Sequence, residues 1–226
     1  MLRVALTGGV GSGKSAAAEH FRRLGAHVSQ SDEVGRVLMQ PGQPAFQAIA
    51  AHFGDSVIAA DGSLDRVTLA HIAFDDGRVE EINAIVHPLV IAAQSAWSDD
   101  VARQDASAVA IIESALIFET RYTAHGPALD GDAPWRTRFD RIVVVTAPIE
   151  IRRERYIARL AGSMPGSAAL ADFDRRAAAQ WTDDRKAALA DFVLVNNDSL
   201  THLQDEVSML FTLLRQESAD SADEAM

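Results

Sequence analysis

The sequence predicts an α/β fold of three layers, in which a parallel sheet of about five strands is covered by helices on both faces. Two observations predict it. Apolar runs without polar alternation occur at 109–112, 142–145 and 192–195, as expected of strands buried on both faces, and a short, mainly apolar run lies at 2–6. Segments of helical composition separate these runs, and such alternation is typical of a doubly wound sheet.

The opening of the chain has the order strand, loop, helix, strand. The apolar run at 2–6 stops at a Thr-Gly-Gly sequence and predicts the first strand. A helix is expected over 15–24, because Gly25 is a favourable residue just after a helix end. A weaker second strand is expected over 26–31.

The middle of the chain has helical patterns and little strand signal. A helical segment over 34–51 is divided by the Pro-Gly pair at 41–42, and a turn follows at 61–66. A further helix over 79–97 is expected to break at Pro88, because proline restricts the residue before it.

The last third of the chain alternates again between strands and other segments. Its other expected features are a Gly/Pro/Asp-rich loop at 122–137, an arginine-rich helix at 150–160, a flexible piece at 162–169, a leucine-spaced helix at 201–215 and an acidic tail at 216–226 that is disordered.

Composition restricts the classes of function. The chain has 226 residues, 48% of them hydrophobic, which is enough for a sizeable core. A formal net charge of -11 argues against a nucleic-acid or anionic-membrane partner. The chain has no cysteine, and no stretch has the length of a signal peptide or a membrane span. We therefore expect a soluble, cytoplasmic protein that is a monomer or a weak homo-oligomer.

A glycine-rich motif predicts a phosphate-binding loop. The sequence from Gly8 to Ser15, GGVGSGKS, matches G-x-x-x-x-G-K-[ST] and lies between a predicted strand and a predicted helix. Its glycines let backbone amides approach phosphate oxygens, Lys14 reaches the β and γ phosphates, and Ser15 offers a hydroxyl to Mg²⁺. Lys14 is one of only two lysines in the chain. The motif indicates a nucleoside triphosphate, but it does not separate a kinase from an ATPase or a GTPase switch.

Two carboxylates follow predicted strands at the edge where the loop lies. Asp32 could orient the hydroxyl that accepts a phosphoryl group and take its proton, or it could be the N-cap of the next helix. Glu113 could hold Mg²⁺ through water, or it could be an ordinary acid at a strand end. Position alone does not decide between these roles.

The arginines of the helix at 150–160 are candidates for phosphate contacts. Arg155 and Arg159 lie four residues apart on one helix face, and arginines neutralise the charge of a phosphoryl transition state. A flexible piece after the helix suggests a lid that excludes water. The alternative is a solvated helix face that pairs with Glu150 and Glu154.

Several stretches resemble those of dephospho-CoA kinases, and they occur in the same order as in that family. They are VALTGGVGSGKS, SDEVGRVLMQPGQPA, HFGDSVIAADGSLDRVTLAHIAF, INAIVHPLV, ESALIFE, TAPIEIRRER and AAQWTDDRKAALADFVLVNN. The resemblance implies that ATP, with Mg²⁺, phosphorylates the ribose 3′-hydroxyl of dephospho-CoA to give coenzyme A. It also implies a P-loop kinase fold with a nucleotide-binding core (1–32, 105–148 and 188–215), a helical CoA-side domain (33–104) and a helical lid (149–187).

The resemblance implies a role for each matching residue. Asp32, Lys14 and Arg155 take catalytic positions, and Ser15 also takes the metal position. The nucleotide positions are Gly8, Gly9, Gly11, Ser12, Gly13, Lys14, Ser15, Ala16, Arg159 and Asn196, with Gln180 near the nucleotide end. The substrate positions are Thr7, Asp32, Arg36, His87 and Glu113.

The chain departs from the family pattern at several points, and other functions stay open at this stage. Ala16 stands where threonine is common, Ala115 replaces a proline, Val195 replaces an aspartate, and 122–137 looks like an insertion. The alternatives are another P-loop nucleoside or nucleotide kinase, or a nucleotide-dependent switch. Guanine specificity is disfavoured, because VNND lacks the lysine of an N-K-x-D motif.

Overall fold

The computed structural model describes residues 1–129 and 132–224. In chain order its elements are β1 (Leu2–Gly8), α1 (Lys14–Arg23), β2 (His27–Gln30), α2 (Ser31–Leu38), α3 (Pro44–Phe53), α4 (Arg66–Ala70), α5 (Val79–Gln104), β3 (Val109–Glu113), β4 (Tyr122–Thr123), β5 (Gly126–Pro127), β6 (Arg141–Thr146), α6 (Ile149–Leu160), α7 (Gly166–Ala178), α8 (Asp183–Ala187), β7 (Phe192–Val195) and α9 (Leu200–Glu224).

The main sheet has five strands in the order β2-β3-β1-β6-β7. The central strand β1 is parallel to β3 on one side and to β6 on the other, and β6 is parallel to β7. Leu6 of β1 is in register with Glu113 of β3 and with Val143 of β6. The predicted α/β class with five core strands is confirmed.

One face of the sheet packs against α1 and α9. Alternate residues of β1 point to this face, as the two-residue period of a strand requires. The rings of Phe21 on α1 and Phe211 on α9 meet edge to face, with centroids 6.2 Å apart. The cluster around them consists of apolar residues that include Leu2, Val4, Leu6, Ile111, Val143, Val145, Leu194, Leu203, Val207 and Leu214.

The chain forms two compact units. The sheet unit comprises Met1–Ser29, Asp100–Glu119 and the chain from Trp135 onward, and the helical unit comprises Gln30–Asp99 and Thr120–Pro134. Residues 149–187 therefore belong with the sheet unit, and most of the predicted insertion belongs with the helical unit. Ile49, Val57 and Leu64 form the centre of the helical unit's own core.

The predicted helix break at Pro88 is wrong, because α5 continues through it. Proline removes one helical hydrogen bond, but apolar contacts lie on both sides of it within the helical unit. A Cβ placed on Gly35 of α2 would lie 3.9 Å from Val86 and 3.7 Å from Val90, so α2 approaches α5 at this position. This packing holds both halves of the helix in line.

Three other expected segments differ in the structure. The predicted disordered tail at 216–226 is not observed over 216–224, because α9 extends to Glu224. Residues 225 and 226 lie outside the described part of the chain. Ser218 is buried and donates a hydrogen bond to the carbonyl of Ala108 (2.9 Å), which anchors this last part of α9. The flexible piece at 162–169 includes the start of α7 at Gly166, and the loop at 122–137 contains the β4–β5 hairpin. Among the described residues, no helix is both long and apolar enough to cross a membrane.

Candidate active site

The loop between β1 and α1 is shaped by glycines in the left-handed region. Gly11 has φ +78° and Gly13 has φ +100°, conformations that other residues adopt only with strain. Gly13 is the N-cap of α1, and its carbonyl accepts from the amides of Ala16 (3.0 Å) and Ala17 (3.1 Å). The loop therefore leads directly into the positive end of a helix, which is a favourable place for an anion.

The same glycines are also required by close packing. A Cβ on Gly8 would lie closer than 3.0 Å to the carbonyl oxygen of Val145, and one on Gly13 would lie closer than 3.0 Å to Nδ2 of Asn196. A Cβ on Gly11 would meet the carbonyl oxygen of Arg152 within the same limit. The elements around the loop thus leave no room for side chains at these positions.

Two hydroxyl groups at the loop are buried without partners. Thr7 and Ser12 are fully buried, and neither Oγ atom has a hydrogen-bond partner among the described residues. A buried polar group without a partner costs free energy, so these two hydroxyls lower the stability of the fold at the loop. Ser15 and Ala16, in the first turn of α1, are exposed, and Lys14 is half-buried.

The segment after β7 is connected to the loop by side-chain hydrogen bonds. Nδ2 of the buried Asn196 donates to the carbonyl of Ser12 at 2.8 Å. Arg155 of α6 donates to the carbonyls of Asn196 (3.0 Å) and Asp198 (3.4 Å). Three sequence-predicted residues, Ser12, Arg155 and Asn196, are therefore brought together.

Arg159 lies one turn further along α6, in a different setting. Its guanidinium carbon is 4.9 Å from the ring centroid of Tyr156, and the described residues show no hydrogen bond from it to the loop. Tyr156 donates to Asp172 of α7, which also accepts from Arg176 at 2.8 Å. Burial alone would raise the pKa of the Asp172 carboxyl, but these hydrogen bonds outweigh burial and hold the pKa below its ordinary value. Burial, followed by the hydrogen bond to Asp172, raises the pKa of Tyr156.

Glu113 and the segment after it lie next to the start of the loop. Glu113 is the last residue of β3, is 7% exposed and stands beside Leu6 in register. A few residues later, Glu119 forms an ion pair with the fully buried Lys186 of α8, at 2.9 Å. Lys186 also donates to the carbonyl of Ala115 (2.8 Å), so α8 holds the segment that follows Glu113.

Asp32, Arg36 and His87 lie in the helical unit. Asp32 is exposed in the first turn of α2, whose N-cap is Gln30, so the alternative role of Asp32 as N-cap is not observed. Arg36, one turn later, donates to the backbone carbonyl of Asp32 at 3.2 Å.

His87 faces the β4–β5 hairpin within the helical unit. Its Nδ1 lies 3.3 Å from Oγ1 of Thr120, and its ring meets that of Tyr122 edge to face, with centroids 5.5 Å apart. Burial and the nearby Glu80 carboxylate raise the pKa of Tyr122. Part of the predicted insertion therefore packs on a predicted substrate residue.

The sequence interpretation gave no individual role to two residues, Arg152, which contacts the loop, and Lys186, which contacts the segment after Glu113. Arg152 shares a helix face with Arg155 and Arg159, at spacings of three and seven residues, and this periodicity was the available signal. Lys186 is the only lysine besides Lys14 in an arginine-rich chain, and this rarity was a weaker signal. The described residues contain no group of three His, Cys, Asp or Glu side chains suited to hold a metal ion.

Comparisons with known proteins agree on one family. A family model described as dephospho-CoA kinase matches residues 2–202. A dephospho-CoA kinase of Thiobacillus denitrificans is 40% identical over 211 residues, covering 93% of this chain and 94% of its own. One of Aromatoleum aromaticum is 35% identical over 208 residues, covering 92% of this chain and 91% of its own.

Solved structures show the same fold. The crystal structure of TT1252 from Thermus thermophilus superposes with a TM-score of 0.69 and 27% identity, covering 94% of this chain and 97% of that one. A dephospho-CoA kinase from Campylobacter jejuni superposes with a TM-score of 0.56 and 18% identity, covering 94% and 96%.

Proposed function

Because the chain belongs to the dephospho-CoA kinase family, we propose that it transfers the γ-phosphoryl group of ATP to the ribose 3′-hydroxyl of dephospho-CoA. The observation that carries the ATP half of the proposal is the glycine loop at the N-terminus of α1, where Gly11 and Gly13 have left-handed φ values and leave no room for side chains. Backbone amides and a helix N-terminus suit the phosphates of a nucleotide.

The nucleotide is bound by residues of the sheet unit. The amides of Gly9, Gly11 and Gly13, with those of Ser12, Ser15 and Ala16, surround the phosphates, and Lys14 neutralises the β and γ groups. Asn196, whose side chain holds the Ser12 carbonyl, lies at the nucleotide end. Arg155 and Arg159 supply positive charge to the transferred group from α6, and 149–187 acts as the lid.

The residues fit a magnesium ion held mainly by the phosphates. Ser15 is exposed in the first turn of α1, where its hydroxyl can be a ligand, and Glu113 offers a carboxylate at the end of the neighbouring strand β3. No cluster of three potential protein ligands occurs in the described ranges, which is the usual situation for Mg²⁺ in nucleotide sites. When bound, Mg²⁺ neutralises the charge on the β and γ oxygens.

Asp32 binds the hydroxyl group that accepts the phosphoryl group. Its side chain is exposed and does not cap α2, so the carboxylate is available to accept a hydrogen bond from the ribose 3′-hydroxyl. Arg36, on the next turn of α2, and His87 of α5 are further residues that bind the acceptor. Thr7 and Glu113 are the other substrate-binding residues. Asp32 orients the hydroxyl and takes its proton, in a reaction that needs positioning more than strong base catalysis.

Asp32→Asn tests this assignment, with Glu33→Gln as its matched control in the same exposed turn. We expect Asp32→Asn to lower turnover by about 10²–10⁴-fold, the range of a lost acid-base group, while ATP binding is retained. Turnover is followed by coupled ADP release, and ATP binding by calorimetry. Near-normal turnover of Asp32→Asn, or an equal loss in Glu33→Gln, contradicts the role of Asp32.

A further inference from the structure

The backbone of Val10, in the middle of the glycine loop, is held at both of the peptide groups that flank this residue. Its N–H donates to Oε1 of Gln180 at 2.9 Å, and the adjoining Val10 carbonyl accepts from Nε of Arg152 at 2.9 Å. Gln180 and Arg152 lie 170 and 142 residues away in the sequence. Neither contact is within a regular element, so these two side chains set the orientation of the loop at this point.

Arg152 also contacts the residues on either side of Val10. A Cβ on Gly9 would lie closer than 3.0 Å to the Arg152 guanidinium, and a Cβ on Gly11 would lie equally close to the Arg152 backbone. Arg152 is 7% exposed and therefore packs against Gly9, Val10 and Gly11 at once. The planar guanidinium lies against the loop backbone while its Nε donates to the Val10 carbonyl.

The positive charge of Arg152 is already engaged by Asp183. Its NH1 atom lies 3.0 Å from Oδ2 of Asp183, and both side chains are largely buried, at 9% and 15% exposure. A paired and buried guanidinium contributes little charge to a phosphate, so its role differs from that proposed for Arg155. The side chain of the neighbouring Arg153 is 41% exposed, pairs with Asp174 at 3.6 Å and lies 5.8 Å from the centroid of the Phe173 ring.

We propose that Arg152 is a positioning residue for nucleotide binding, and that Gln180 and Asp183 act with it. By fixing the Val10 peptide, it keeps the following amides of the loop pointed at the phosphates before ATP arrives. This inference rests on the proposed function, because it assigns ATP to the loop. It requires that ATP affinity depends on Arg152 and that dephospho-CoA affinity does not.

Arg152→Met tests the proposal, because methionine keeps apolar volume and removes both donors. We expect the KM for ATP, and the Kd of ATP measured by calorimetry, to rise by about tenfold or more, a factor that corresponds to 1.4 kcal/mol. The kcat at saturating ATP and the KM for dephospho-CoA stay within about twofold of wild type, since only the loop is affected. Arg152→Lys, which keeps the positive charge but loses the planar fork of donors, gives an intermediate KM for ATP. Arg153→Gln, the matched control on the same helix, leaves the KM for ATP unchanged.

Gln180→Met provides an independent test, because Gln180 contacts the N–H of Val10 whereas Arg152 contacts its carbonyl. It is expected to raise the KM for ATP in the same way, and it serves with Arg152→Lys if Arg152→Met does not fold. An unchanged KM for ATP in all folded variants overturns the proposal. A fall in kcat with both KM values unchanged also overturns it, because that result indicates a smaller folded fraction.

Lys14→Met separates failure of this inference from failure of the proposed function. If Lys14→Met loses ATP turnover while the Arg152 and Gln180 variants keep a normal KM for ATP, only the positioning role is wrong. If Lys14→Met binds and turns over ATP normally, the loop does not bind ATP and both proposals are wrong.

Discussion

Lys186→Met removes a buried charge whose partners are all defined. Lys186 is fully buried, lies 2.9 Å from Oε1 of Glu119 and donates to the Ala115 carbonyl at 2.8 Å. The side chain of Glu119 is 11% exposed. When the lysine is removed, the Glu119 carboxylate keeps the amide of Trp181 (2.8 Å) as its one hydrogen-bond donor among the described residues. The variant therefore leaves one buried carboxylate poorly compensated and one carbonyl without a donor.

The expected loss of stability is large. Breaking a buried ion pair by removing one partner costs about 3–5 kcal/mol. In a chain of this length, each kcal/mol lost from the unfolding free energy lowers the thermal unfolding midpoint by about 2–4 °C. We therefore expect the midpoint to fall by roughly 6–20 °C. Replacing both partners in Lys186→Met/Glu119→Gln removes the uncompensated charge and is expected to recover part of the loss.

Thermal and urea unfolding, followed by circular dichroism, measure this effect. Arg185→Met is the matched control, since the exposed Arg185 lies over the Trp181 ring at 3.3 Å, a cation–π contact of about 0.5–1 kcal/mol at exposed sites. A loss in Lys186→Met no larger than in this control would show that the pair behaves like a surface ion pair. That result would refute the reasoning from burial.

Two further predictions concern the loop and the lid. Gly11→Ala places a Cβ at φ +78° against the Arg152 carbonyl. We therefore expect a stability loss above about 1 kcal/mol in urea unfolding and weaker ATP binding in calorimetry. Unchanged values for both would show that the loop accommodates the Cβ. Asp172 has a folded-state pKa below its ordinary value, so its contribution to stability is present above about pH 4 and is lost as the pH falls through the folded-state pKa. The difference in unfolding free energy between wild type and Asp172→Asn, measured in urea at several pH values, is therefore expected to shrink on acidification; a constant difference would contradict this.

Local sequence patterns predicted the part of the fold that contains the loop. The run of β1, the glycine motif and α1 each depend on neighbouring residues, and the structure places these elements as expected. Prediction was wrong at Pro88, where the local preference for a break is outweighed by packing of Gly35 against Val86 and Val90. It also ended α9 too early, because the buried hydrogen bond of Ser218 to Ala108 joins residues far apart in the chain.

The candidate site was predictable to the extent that single motifs define it. The loop residues and Asn196 come together in the structure, whereas the contacts of Arg152 and Lys186 depend on the tertiary fold. Arg152 reaches Val10 across 142 residues, and helical periodicity alone does not tell a buried arginine from a solvated one. Lys186 likewise depends on a carboxylate in a distant segment. Such contacts are set by packing, which a pattern in one segment does not encode.

ATP consumption with and without dephospho-CoA, with the product identified by mass spectrometry and NMR, is the decisive assay of the proposed reaction. We predict that ADP forms in step with coenzyme A, that the new phosphate is on the ribose 3′ oxygen, and that omission of dephospho-CoA stops ADP formation. Equal rates of ADP formation with and without dephospho-CoA would contradict the proposed reaction and indicate a nucleotide hydrolase instead.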